Sequence, residues 1–133
     1  MDLIKVTPNK EKAKSILRMV DKTLEMINEL SVEKYPSNII KEYYDVIREL
    51  LSILLLFDGY KTIGESAHKI LIDYIKKNYK QFSNYEIFLM DDLRITRNKI
   101  AYDGFFVRGD YVNRRKEDII KLINKLKGVI EKK

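Results

Sequence analysis

Five of the seven arginines, Arg94, Arg97, Arg108, Arg114 and Arg115, fall within 22 residues and alternate with Tyr102, Phe105, Phe106 and Tyr111. Guanidinium groups clamp phosphates through paired N–H donors and exposed rings stack on unpaired bases, so this mixture reads as a surface for RNA. A subunit interface draws on the same residue types. The charge is lopsided: residues 94–133 carry 12 basic and 5 acidic side chains, net +7, whereas residues 1–93 carry 14 and 15, net −1. Such a patch attracts phosphate backbones through counterion release. Lys121, Lys125, Lys127, Lys132 and Lys133 read instead as the solvated face of a terminal helix, where cations suit the dipole.

The densest constellation is Arg97-Asn98-Lys99-Ile100-Ala101-Tyr102-Asp103-Gly104. On a helix Asn98 and Tyr102 stand at i,i+4 and share a face, while Arg97 lies about 100° round, beside Leu93 and Ile100. An arginine at an apolar boundary must pair or line a cleft, and Asp91 and Asp92 are the nearby carboxylates. His68 is the one imidazole. A lone helical histidine is most often structural, but it is also the side chain best suited to proton transfer near neutral pH. Cysteine is absent, which removes disulfides, thiolate metal sites and a Cys nucleophile. There is no G-x-S-x-G, and no glycine-rich phosphate loop supports small-nucleotide binding. Neither metal nor cofactor is expected.

Amphipathic spacing supplies the elements that must position these groups. A first helix follows Thr7-Pro8, with Pro8 in its first turn and Ala13, Leu17, Val20, Leu24 and Ile27 as its inward stripe. A second runs from about Ser37 to Phe57, apolar on two faces and therefore the most buried, and ends at Asp58-Gly59. S/T-x-x-E patterns at Thr62/Glu65 and Ser83/Glu86 mark the starts of a third and a fourth helix. The third carries Ala67, Ile70, Leu71, Tyr74 and Ile75; the fourth carries Phe88, Leu89, Leu93 and Ile100 and stops before Gly104. A last helix from near Asp110 or Asn113 turns Ile119, Ile120, Ile123, Leu126 and Ile130 inward. No segment reads as a strand. Short joins predict an all-α, antiparallel up-and-down four-helix bundle with an additional short or C-terminal helix, one domain over residues 1–133. The longest apolar stretch, Leu50 to Phe57, is far below the roughly 20 residues that span a bilayer, so the expected setting is cytoplasmic, without membrane contact.

A helix ending in Arg-Asn-x-x-x, late in a helical chain with an Asp58-Gly59-Tyr60-Lys61-Thr62 turn before the third helix, resembles the HEPN superfamily. The likeness to its small stand-alone archaeal and bacterial members extends over nearly the full chain. It implies a motif R-x4-6-H that acts as a metal-independent endoribonuclease, with paired motifs facing each other across a homodimer. It also implies, for many members, a toxin-like role beside a minimal nucleotidyltransferase partner. Arg97 and Asn98 match the motif's opening, and Tyr102 stands where the His belongs. The tyrosine that some members carry two residues further on is Gly104.

Tyr102 changes the chemistry. Cleavage through a ribose 2′-hydroxyl needs a group that exchanges a proton near neutral pH; imidazole, at about 6.5, does so and an ordinary phenol, at about 10, does not. A phenol still stacks on a base or donates to a phosphate. The expectation is thus an RNA-binding or RNase-related protein whose motif side chains are Arg97, Asn98 and Tyr102. Arg94, Arg108, Arg114 and Arg115 would hold RNA, and His68 is an auxiliary. The alternatives are a non-enzymatic helical partner or scaffold protein and a nucleotide-binding bundle.

Overall fold

The computed structural model describes residues 2–133. In chain order the elements are β1 (Leu3–Lys5), α1 (Lys10–Glu29), α2 (Pro36–Phe57), β2 (Tyr60–Thr62), α3 (Ala67–Asn78), α4 (Asn84–Asp103) and α5 (Gly109–Glu131). The protein is thus mainly helical. The helix α2 is the hub, in contact with all four other helices. Ile40, Tyr44, Ile47, Leu50, Leu51, Ile53 and Leu54 are entirely buried, as its two apolar faces predict.

Local chemistry explains most boundaries. Asn9, rather than a residue before Pro8, caps α1, its Oδ1 accepting from the Lys12 N–H at 3.0 Å; Pro8 therefore lies outside the helix. Pro36 occupies the first position of α2, where its missing N–H has no partner to lose. Ser83 and Glu86 form the full reciprocal cap of α4. Thr62 and Glu65 do not cap α3. Thr62 pairs with Leu3 in a short antiparallel ladder, and α3 begins only at Ala67, after Gly64. The ladder corrects the expectation of no strand and ties the chain's start across the end of α2.

Two inward assignments also change. Phe88 and Ile120 are exposed, while Val112 and Leu122 join the core. In α4 the buried side is Leu89, Met90 and Leu93, and a second stripe at seven-residue spacing, Phe88, Ile95 and Tyr102, faces outward.

The connection from α4 to α5 is fixed at one point. Gly104 ends α4 in the left-handed conformation, φ 64°, that glycine adopts without strain. Val107 then plugs inward, and its N–H donates to the buried Ser37 Oγ at 2.9 Å, across 70 positions of sequence. Phe105 and Phe106 are left outside. Ser37→Ala removes the acceptor of a buried N–H and is expected to destabilise by about 1–3 kcal/mol in denaturant unfolding. An unchanged midpoint would show that Val107 N–H finds another acceptor.

Candidate functional site

Arg97 leaves α4 on the side that meets α2. Its nearest carboxylate is neither Asp91 nor Asp92 but Asp45 of α2: Arg97 Nε lies 3.8 Å from Asp45 Oδ1, too far for a hydrogen bond. Arg48 Nε stands at the same 3.8 Å from the same oxygen. All three atoms are buried without a hydrogen-bond partner. The local carboxylates are committed elsewhere: Asp91 to Arg94 at 2.9 Å, Asp92 to Arg115 at 3.3 Å, Glu49 to Arg48 at 2.9 Å. Among the described residues Arg97 therefore has no hydrogen-bonded anion. Its remaining contacts, Nη1 to Asn98 Oδ1 at 3.4 Å and to the Tyr102 hydroxyl at 3.5 Å, are long.

Tyr102 covers this guanidinium from outside. Its ring centroid is 5.9 Å from Arg97 Cζ and the side chain is 76% exposed, so the phenol neither enters the core nor seals the site. The three motif residues are thus together. Arg97 is set back, while Asn98 and Tyr102 form the outer edge, and an anionic group arriving past Tyr102 meets donors whose capacity is not used.

His68 joins the cluster from α3. Its ring lies 5.9 Å from that of Tyr44, whose hydroxyl is buried and without a hydrogen bond. Burial, then the charges of Arg48 and Arg97, lower the imidazole pKa below 6.5; Asp45 opposes them and Arg94 adds to them. The half-buried ring is therefore kept neutral near pH 7. Burial also pushes the Tyr44 phenol up to about 12, partly offset by the three arginines. Tyr44, Asp45 and Arg48, the α2 side of the site, were not singled out from sequence. Their signal was present: Asp45 and Arg48, charged and three positions apart, interrupt the most apolar helix.

The four arginines expected to act together divide. Arg94 lies on the His68 side of α4, paired to Asp91. Arg108, Arg114 and Arg115 lie on the opposite side, around a cavity of about 390 Å³ that also includes Lys99, Phe105, Phe106 and Tyr111. Arg115 is held by Asp92 and lies against the Tyr111 ring. Arg108 is 91% exposed in a loose pair with Asp110 at 3.6 Å, and Arg114 bonds only the Asp110 carbonyl.

Of the lysines expected on a solvated face, Lys121, Lys125, Lys127 and Lys133 are in ion pairs, with Glu117, Glu86, Asp21 and Asp58. Lys125 also bonds the Gln81 carbonyl, so it joins α5 to the start of α4. At the α4–α5 connection Lys99, Arg108, Arg114 and Arg115 stand against Asp92 and Asp110, a local basic excess. Among the described residues no three metal-ligating side chains converge. Nor, among the described residues, is any helix long and apolar enough to cross a membrane. Compared with known proteins, the chain matches no protein-family model, no curated protein and no solved structure.

Proposed function

We propose that this chain is a HEPN-type, RNase-related RNA-binding protein, a single antiparallel bundle over residues 1–133 that acts in the cytoplasm as a homodimer. One observation carries the reading: Arg97 of the Arg-Asn motif is under-satisfied, with Asp45 beyond hydrogen-bond distance and the exposed Tyr102 lying against its guanidinium. Arg97 has only a long ion pair with Asp45, which Arg48 shares, whereas Arg94 holds Asp91 at 2.9 Å. A phosphate that displaces Tyr102 gives Arg97 the paired contact it lacks. Asn98, alongside, supplies an amide to the same group.

The outward stripe of α4 supports the dimer. Phe88 and Ile95 are 54% and 41% exposed, a cost in water that a second copy removes. In an antiparallel pairing about Ile95, the two Ile95 side chains meet and Phe88 of each copy lies toward Tyr102 of the other. The same stripe supports a second reading, in which a nucleotidyltransferase or another partner protein covers α4. Light scattering on the purified chain separates the two: a dimer is expected, weakened by Ile95→Asp.

Cleavage and binding of structured RNAs test the function. Wild type is expected to bind with little or no cleavage, because Tyr102 places a phenol where the reaction needs a titrating group. Tyr102→His, five residues after Arg97 on an otherwise intact site, is expected to gain cleavage. A folded, dimeric Tyr102→His protein that stays inert shows that the groove is a binding surface only.

A further inference from the structure

The α4–α5 connection carries a second recognition element, separated from Arg97 by the width of α4. Its unusual feature is two adjacent exposed phenylalanines. Phe106 is 83% exposed and Phe105 48%, on a connection anchored at Val107 by Ser37 and at the end of α4 by Gly104. Around them the cations outnumber the anions: Lys99, Arg108, Arg114 and Arg115 against Asp92 and Asp110. Asp92 is occupied by Arg115 and by the Tyr111 hydroxyl, so it neutralises nothing further. Lys99 Nζ lies 6.0 Å from the Phe105 ring centroid, an ammonium held beside an aromatic face.

Exposed rings beside a cation excess, with Arg114 free of any carboxylate and Arg108 only loosely paired, suit a ligand that is both flat and anionic. A purely apolar partner leaves Arg114 without an anion and Arg108 with only its loose pair to Asp110, and a purely acidic one leaves the phenylalanines in water. An unpaired nucleotide satisfies both, its base on the rings and its flanking phosphates on the guanidiniums. The cavity, about 390 Å³, falls in the range of small-ligand pockets. Duplex RNA does not fit the requirement, since its bases are stacked and its phosphates alone would engage.

We infer that the cavity between α4 and α5 is a pocket for one unpaired base of single-stranded RNA, with the base on Phe105 and Phe106 and adjacent phosphates on Arg108 and Arg114. The inference deepens the proposed function and rests on it. It adds that the RNA taken must offer an unstacked nucleotide beside the stretch that meets Arg97.

The test is anisotropy of a labelled, unstructured oligoadenylate and of a labelled blunt RNA duplex, read against wild type, Phe106→Ala, Phe105→Ala/Phe106→Ala and Arg108→Ala/Arg114→Ala. Phe106 is almost wholly exposed, so its removal leaves the fold intact. Single-strand affinity is expected to fall about tenfold or more in the phenylalanine pair, with duplex affinity unchanged. In the arginine pair the salt slope is expected to fall by about 1.4, for two phosphates lost. Phenylalanine variants that bind the single strand as wild type does overturn the pocket, and if Arg97→Ala still weakens RNA the proposed function survives that result. Wild type that binds neither RNA at low salt overturns both. Phenylalanine variants that lose the dimer, and bind RNA normally as monomers, assign the loop to a protein contact and overturn the pocket.

Discussion

Asp45→Asn is expected to lower stability and raise RNA affinity at the same time. Asp45 is the carboxylate that Arg48 and Arg97 share, with side chains 28% and 19% exposed. Neutralising it leaves two half-buried guanidiniums facing each other with less compensation, at about 1–2 kcal/mol, between the values for exposed and for buried ion pairs. The same change removes the negative charge that competes with a phosphate for Arg97. A gain of about threefold to tenfold in affinity is expected, diminishing as salt is raised. Denaturant unfolding and RNA anisotropy on one preparation check both signs. A variant that loses stability and affinity together would show that Asp45 orients Arg97 rather than opposing its ligand.

His68 is expected to report the arrival of RNA through its own titration. Its pKa in the folded chain lies below 6.5 because burial and Arg48, Arg97 and Arg94 oppose the imidazolium, with Asp45 alone favouring it. The unfolded chain therefore binds the proton more readily. Stability from this residue is complete above about pH 6.5 and is lost as pH falls from there through the folded value. A phosphate at Arg97 reverses the balance of charge, so binding is expected to raise the His68 pKa. By reciprocity RNA affinity rises as pH falls, by about tenfold for each pKa unit that binding adds. The groups that face His68 are Tyr44, Asp45 and Arg48 from α2 and Arg94 and Arg97 from α4. As the one histidine in the chain, His68 gives unambiguous imidazole signals in NMR. A value at or above 6.5 in the free protein, or one that does not move with RNA, contradicts the cluster's electrostatics. His68→Gln is expected to remove the pH dependence of binding.

These expectations depend on which parts of the molecule sequence spacing encodes. Helix stripes are local, so the hub role of α2, the Ser83–Glu86 cap and the Gly104 stop were all legible. The same four-residue pattern at Thr62 and Glu65 misled, because Thr62 was claimed by a strand only three residues long, too short for alternation to register. Phe88 misled for another reason. Periodicity reports that residues share a face but not which of two apolar faces is covered, and α4 has both.

The candidate site shows the same limit. Arg97, Asn98 and Tyr102 lie within six residues, so their grouping follows from one helix, and so does Arg97's position at the edge of the apolar stripe. Its counterpart Asp45 is 52 positions earlier on another helix, and no spacing rule connects them. The near carboxylates were excluded by competition: Arg94 takes Asp91 from three residues away, and Arg115 takes Asp92 across the α4–α5 contact. His68 likewise reaches Arg97 only through packing of α3 against α2 and α4. The arginine-rich segment was read as one surface, but α4 passes through it and directs Arg94 to one flank and Arg108 and Arg114 to the other.

The central claim is that the Arg97 guanidinium is held available for a polyanion. The salt dependence of RNA affinity in wild type and Arg97→Ala tests it most directly, with circular dichroism confirming equal folding. Plotted as log affinity against log salt, the Arg97→Ala line is expected about tenfold lower at low salt, with a slope shallower by about 0.7–0.9, one phosphate contact. Two superimposed lines would contradict the claim and leave Arg97 as an internal neighbour of Asp45 with no ligand to meet.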